Sequence, residues 1–204
     1  MSCPEDIQVS EGQVSKGQVS SGAGQARRYL PGDRLPEGEV AAMLRVDHAG
    51  EYGARRIYEG QLAVLGRSAS GAVLRKMHAQ ELRHLQAFDK LLVERHVRPT
   101  LLAPVWHVAG FALGAATALL GERAAMACTV AVEEVIDAHY RGQVERLGES
   151  EPALKETFEE FRQDELEHRD TALAQGAAEA PGYPLLTGAI KGASRLAIWL
   201  SKRI

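Results

Sequence analysis

An all-α fold, with four of its helices forming a bundle, is what three features of this chain predict. Apolar residues recur at helical spacing through successive segments from residue 37 onward. No stretch of useful length alternates apolar and polar residues as a half-buried strand would. The composition is 45% apolar with only 5% aromatic residues, a mix rich in Ala, Leu, Glu and Arg that favours helices.

Residues 1–35 lie outside this pattern. They are polar and rich in Gly and Ser, and they repeat GQVS at Gly12–Ser15 and Gly17–Ser20. A disordered tail ahead of one domain over residues 36–204 is expected. With acidic residues and no apolar segment, the tail resembles neither a secretory signal nor an Arg-rich transit peptide.

The first helix begins near Glu37. Its face reads Val40, Leu44, Asp47, Glu51, Ala54, Tyr58, Gln61 and Leu65, apolar at both ends around an acidic centre. The run GRSASG at Gly66–Gly71 is turn chemistry. A second helix reaches about His96 with Leu74, Met77, Glu81, His84, Phe88 and Leu91 in line, and Pro99 prevents its continuation. A third stretch, Val105–Leu120, carries no formal charge over 16 residues. The fourth, Glu122–Leu147, aligns Met126, Thr129, Glu133, Ile136, Tyr140 and Val144, and the turn GESEP closes it. The fifth sets Leu154, Phe158, Phe161, Glu165 and His168 on one face and ends near Gly176. From Pro184 a last helix to Ile204 carries Leu186, Ile190, Ala193, Ala197, Leu200 and Ile204.

A net charge of −3 gives no general electrostatic case for nucleic acid, so that class of partner is excluded. Cys3 and Cys128 form neither a disulfide framework nor a zinc knuckle, which suits a reducing compartment. No Gly-rich nucleotide-binding motif is present.

The chemistry sits in a repeated hairpin. Glu51 lies 15 residues before the turn at Gly66, and Glu133 lies 15 before the turn at Gly148. Beyond each turn an E-x-x-H returns, Glu81 with His84 and Glu165 with His168. Antiparallel helices rising about 1.5 Å per residue set each lone Glu near the height of its E-x-x-H. The i, i+3 spacing stacks Glu and His on one face. A solitary E-x-x-H is most often a solvated face, but here both continue apolar stripes and both have a Glu across a short turn. Six polar groups in a bundle core demand compensation. Two divalent metal ions supply it, and this ligand set is that of di-iron and di-manganese carboxylate bundles. Carboxylate and imidazole together suit iron or manganese. Glu134 and Glu167, the near alternatives, lie about 100–200° off the stripe at 3.6 residues per turn.

With those residues in view, the chain resembles the demethoxyubiquinone hydroxylases of ubiquinone biosynthesis from about Leu44 to Ile204. The blocks that carry the likeness are RVDHAGEYGARRIYEGQLAVLG (Arg45–Gly66), the long stretch from Arg98 to Tyr140, and FRQDELEHRD (Phe161–Asp170). The resemblance implies a ferritin-like bundle with two extra apolar or amphipathic helices. It implies a di-iron centre on Glu51, Glu81, His84, Glu133, Glu165 and His168. Arg55 stands where the family carries Asn. The implied reaction is monooxygenation by O2 of a demethoxy polyprenyl benzoquinone or its quinol, 5-demethoxyubiquinone giving 5-demethylubiquinone. NADH, directly or through a partner, is the candidate reductant, and other quinone-biosynthesis proteins are candidate partners. Asp47, Tyr58, Asp137 and Tyr140 fall on the ligand faces, with His139 beside them, as candidates to orient a ligand or bond the quinone. His48, His78, His96 and His107 lack ligand spacing.

Val105–Leu120 is too short for a comfortable transmembrane span, which needs about 20 residues. By length alone it fits a core helix or an interfacial one. A bilayer-confined substrate favours the second: Val105–Leu120 and the Pro184–Ile204 helix would form a monotopic membrane face and line a channel for the isoprenoid tail. The basic end of the chain suits anionic headgroups, and a charge at Phe111 is the natural probe. The expected location is peripheral, on the cytoplasmic face of a bacterial inner membrane or the matrix face of a mitochondrial one. The competing readings are a ferritin-like iron- or peroxide-handling protein, which has no use for the uncharged stretch, and a non-enzymatic lipid-binding partner, which has no use for the ligands.

Overall fold

A computed structural model describes residues 37–204, so the expected N-terminal tail lies outside the described residues. Six α-helices follow in order: α1 (Glu37–Leu65), α2 (Gly71–Glu94), α3 (Ala103–Leu119), α4 (Glu122–Leu147), α5 (Pro152–Ala174) and α6 (Tyr183–Ser201). A short 3-10 turn at Ala177–Glu179, which periodicity did not reveal, joins the last two. Among the described residues there is no strand.

Local chemistry sets several boundaries. Pro104, Pro152 and Pro184 stand at the first positions of α3, α5 and α6, where the missing N–H costs nothing. Gly148 ends α4 with a φ of 52°, a conformation that a side chain would strain. Acidic Glu37 and Glu39 in the first turn of α1 complement its dipole.

The hairpins α1–α2 and α4–α5 make the bundle, with α3 packed chiefly on α1 and α6 on α4. Its core has three layers. One apolar end holds Val40, Met43, Phe88, Tyr140, Leu147 and Phe158. The other holds Leu65, Leu74, Met77, Met126, Val130 and Ala172. Between them every bundle helix contributes buried Glu or His. Burial also pushes the Cys128 thiol up to about 12, so it packs as a neutral group.

α3 is neither wholly core nor wholly surface. Gly110 and Gly114 are buried against α1, while Val108 is 67% and Leu119 75% exposed. The approach is so close that a Cβ on Gly114 would lie 2.0 Å from the Ile57 carbonyl oxygen. Reciprocally, one on Gly60 would lie 2.2 Å from that of Phe111. Small residues bring the backbones together, and the large apolar side chains of α3 are left facing out. Phe111, the position named for a probe charge, is half-buried with the Arg56 guanidinium 5.0 Å over its ring. Trp106 Nε1 donates to Ser201 Oγ at 2.9 Å, tying α3 to the end of α6.

Candidate metal centre

The six residues singled out by spacing come together in the middle layer. Glu51, Glu81, His84, Glu133, Glu165 and His168 are each at most 2% exposed. One ligand atom from each of Glu51, Glu81, His84 and Glu165 falls within a 4.8 Å sphere of mutual distances, and so does one from each of Glu81, Glu133, Glu165 and His168. Glu81 and Glu165 belong to both groups and would be the bridging pair of a two-ion site. Glu51 with His84, and Glu133 with His168, would be its terminal pairs.

The directions of these atoms test whether ions fit. His84 Nδ1 lies 3.3 Å from Glu51 Oε2 and 3.2 Å from Glu165 Oε1, yet none of the three makes a hydrogen bond. Glu81 is similar: Oε1 is 3.1 Å from His168 Nδ1, but neither of its carboxylate oxygens is hydrogen-bonded. Glu133 Oε2 is also unpartnered. Buried oxygens without donors are costly. Apart from the bond between His168 Nδ1 and Glu165 Oε2 at 3.2 Å, these lone pairs converge without bonding one another; divalent cations would satisfy them, and the donor set fits such ions.

Electrostatics within the polypeptide alone say the same. Burial, then Glu165, pushes the Glu81 carboxyl up to about 8, and burial likewise raises Glu51 and Glu133. Burial opposes charge on His84 and His168, but the carboxylates beside them outweigh it and hold the imidazoles up at about 12 and about 11. Burial would also raise Glu165, yet the hydrogen bond with His168 and the charge of both imidazoles bring it down to about 2. Four acids in a dry layer are thus only partly neutralised by two imidazoles.

The candidate supporting residues divide. Tyr58 OH donates to Glu133 Oε1 at 3.0 Å, and Tyr140 OH donates to Glu51 Oε1 at 2.5 Å. Burial and the neighbouring carboxylates hold both phenols well above their usual range, so both remain donors. Asp47 is buried and accepts from Gln143 Nε2 at 2.9 Å, with His139 Nε2 at 3.2 Å from the same oxygen. Burial raises its carboxyl, and His139 and Gln143 oppose the rise. Asp137 orients no ligand. It pairs with Arg162 at 2.7 Å and Arg141 at 2.6 Å, bracing α4 against α5. Glu134 and Glu167 pair with Lys191 and Lys76, as residues off the stripe should. His48 pairs with Asp89, and His107 accepts from or donates to Tyr52 at 2.7 Å. Arg55 pairs with Glu59.

For Asp137, burial raises the carboxyl, but hydrogen bonds from Arg162 and Arg141 outweigh it and leave the carboxyl below its ordinary 3.8. Its stabilisation is therefore full above the ordinary value and is lost as pH falls through the lower folded one. Asp137→Asn should cost about 1–3 kcal/mol at neutral pH. Thermal melts from pH 7 to pH 3 should show that penalty shrinking as the wild type loses the same bonds.

One partner escaped the sequence reading. Asp164 Oδ2 lies 2.9 Å from His84 Nε2, the ring nitrogen facing away from the cluster. Its signal was its position one residue before Glu165, which on a helical wheel reads as surface. Phe161 stacks on the His84 ring at 4.2 Å, fixing its plane.

Beside this layer, α1, α3, α4 and α6 enclose an apolar cavity of about 180 Å³ lined by Gly53, Trp106, Leu113, Ile136 and Ala197 among others. Gly50 and Val132, the residues preceding Glu51 and Glu133, also form its wall.

Comparison with known proteins adds the family. The family model described as ubiquinone biosynthesis protein COQ7 matches residues 38–201. The 3-demethoxyubiquinol 3-hydroxylase of Rhodospirillum rubrum is 61% identical over 180 residues, covering 88% of this chain and 85% of the relative. The human mitochondrial NADPH-dependent 3-demethoxyubiquinone 3-hydroxylase is 51% identical over 176 residues, covering 84% and 81%. The mitochondrial 5-demethoxyubiquinone hydroxylase of Saccharomyces cerevisiae is 44% identical over 179 residues, covering 79% and 77%.

Proposed function

The chain belongs to the ubiquinone biosynthesis protein COQ7 family, and on that premise we propose that it hydroxylates the ring of a demethoxy polyprenyl benzoquinone, or its quinol, at a di-iron centre beside a membrane surface. The observation that carries this reading is the adjacency of two features. Six buried ligand-type residues lie in one layer, and an apolar cavity shares its wall with the residues preceding two of them.

Glu51 and His84 would hold one ion, Glu133 and His168 the other, with Glu81 and Glu165 between them. When bound, reduced iron supplies the activation of O2. The protein's own residues do the rest. Tyr58 and Tyr140 hold one oxygen of each terminal glutamate and so fix which oxygen faces the ions. Phe161 and Asp164 fix the ring of His84. The apolar cavity takes a ring with a hydrocarbon tail and excludes water. One oxygen atom of O2 enters the ring and the other leaves as water, so two electrons must be supplied. Relatives named for NADPH dependence support a reduced nicotinamide nucleotide as their source.

A lipid-dissolved substrate requires a route from the bilayer. No helix among the described residues is long and apolar enough to cross a membrane. The outward face of α3 and α6 nonetheless exposes Val105, Val108, Leu119, Leu185, Leu196 and Trp199, an apolar surface of the kind that lies in an interface. Arg203 stacks over Trp199 at 4.1 Å, a cation suited to anionic headgroups beside that surface. Replacing Val108 and Leu119 by Glu together should reduce flotation with anionic liposomes by at least about 10-fold, since each buried aliphatic side chain contributes roughly 1.5–3 kcal/mol. Unchanged flotation would rule out this face.

The ferritin-like iron- or peroxide-handling alternative gains nothing from the cavity or the exposed apolar stripe, and a non-enzymatic partner gains nothing from the ligands. The test of function is the quinone profile of a strain lacking the chain. The demethoxy quinone should accumulate and disappear on complementation. Accumulation of another species would overturn the assignment.

A further inference from the structure

The two hairpins are related by a pseudo-two-fold axis through the middle layer. Glu51, Glu81 and His84 correspond to Glu133, Glu165 and His168. The tyrosine seven residues beyond each terminal glutamate reaches across to the opposite one, Tyr58 to Glu133 and Tyr140 to Glu51. Each histidine also lies against the bridging glutamate of the other half, at 3.2 Å for His84 with Glu165 and 3.1 Å for His168 with Glu81. The correspondence thus extends through side chains as well as sequence.

It breaks at the residue preceding each bridging glutamate. Before Glu165 stands Asp164, whose carboxylate meets the outward nitrogen of His84 at 2.9 Å. Before Glu81 stands Gln80, on the neighbouring helix and 8% exposed. Its amide oxygen and the outward nitrogen of His168 are both buried, and both lack a hydrogen-bond partner. A buried nitrogen on His168 and a buried carbonyl oxygen on Gln80 are thus each left without a partner, on the two residues that correspond to His84 and Asp164.

We propose that Gln80 is the positioning residue for His168, accepting its outward N–H as Asp164 accepts that of His84, and that this exchange of carboxylate for amide makes the Glu133–His168 position the weaker of two metal positions. A carboxylate on the outer N–H draws the proton away and strengthens the inner nitrogen as a donor. An amide fixes the ring and its tautomer but brings no charge, so the gain is smaller. The two halves then hold the same ligand atoms with unequal strength, and the His168 half is the one that empties first. This rests on the reading that the cluster binds two divalent ions.

Co²⁺ titration of the metal-stripped full chain, followed by calorimetry and ligand-field absorption, tests it. The wild type should bind two ions in steps separated by about 10–100-fold, the range by which outer partners tune metal sites. Gln80→Glu should tighten the weaker step, shift its absorption band and close the gap. Gln80→Met, similar in size but without an acceptor, should weaken that step alone, and Asp164→Asn should weaken the tighter step. Circular dichroism checks each fold, and Gln80→Met decides the matter if Gln80→Glu fails to fold. Two equal steps in the wild type, or a weaker step indifferent to both Gln80 variants, would overturn the proposal. Binding of fewer than two Co²⁺ would remove the two-ion reading, and this inference with it.

Discussion

Glu81→Gln is expected to abolish two-ion binding and hydroxylation while making the metal-stripped protein more stable. Glu81 is fully buried, neither of its oxygens is hydrogen-bonded, and it belongs to both ligand groups. Loss of a bridging ligand should cost more than the about 10–100-fold associated with losing an outer hydrogen-bond partner. Stability should move the other way. Without metal, the Glu81 charge is desolvated beside Glu165, which is why its carboxyl is pushed up to about 8. A neutral amide at this position removes that desolvated charge. The sign with pH follows. A carboxyl raised in the folded state destabilises it progressively as pH climbs from the ordinary 4.5 toward about 8. The advantage of the Gln variant should therefore be small at pH 4 and largest near pH 8, measured by thermal melts in chelator. A variant less stable than wild type at pH 8 would mean that Glu81 is a structural residue.

Gly114→Ala should be among the most destabilising single-methyl changes available in this chain. Its Cβ would meet the Ile57 carbonyl oxygen at 2.0 Å, the carbonyl carbon at 2.8 Å and Cα at 3.0 Å. These are backbone atoms and cannot rotate away, so α3 must lift from α1. Overpacking of this kind costs about 1–3 kcal/mol and sometimes more. At this chain length each kcal/mol lowers Tm by about 2–4 °C. Gly188→Ala is the control, because a Cβ there meets nothing within 4 Å. That change should stabilise α6 by about 0.5–1 kcal/mol. Since Gly110 and Leu113 line the cavity, the displaced α3 should also raise KM for an apolar quinone more than it lowers kcat. Equal stability of the two alanine variants would show that α1 and α3 do not approach this closely.

The middle layer was legible in the sequence because its signal is periodic. Glu51 and Glu133 each sit 15 residues before a turn, and each E-x-x-H continues an apolar stripe, so registers and faces agree in the sequence itself. Tyr58 and Tyr140 were legible for the same reason, two turns along the same face. Asp164 and Gln80 were not. Each adjoins a ligand in sequence, about 100° round the helix, and acquires its role only when the other hairpin is packed against it. Asp137 shows the converse: it shares the ligand face by periodicity, but the Arg162 guanidinium from α5 captures it. The uncharged stretch Val105–Leu120 could be read as core or as interface. It is both, because Gly110 and Gly114 let one face approach α1 while Val108 and Leu119 remain exposed. No single-helix pattern separates those outcomes, since glycine counts as neither apolar nor polar in a periodicity.

Insertion of an oxygen atom from O2 into a quinone ring is the reaction proposed for this bundle. Mass spectrometry of the product formed by the purified, iron-loaded chain under ¹⁸O₂ tests it most directly, with demethoxy quinone and a reduced nicotinamide nucleotide supplied. One ¹⁸O atom per hydroxylated ring is the expected result. A hydroxyl oxygen drawn from water, or no ring hydroxylation by protein carrying two irons per chain, would rule that reaction out.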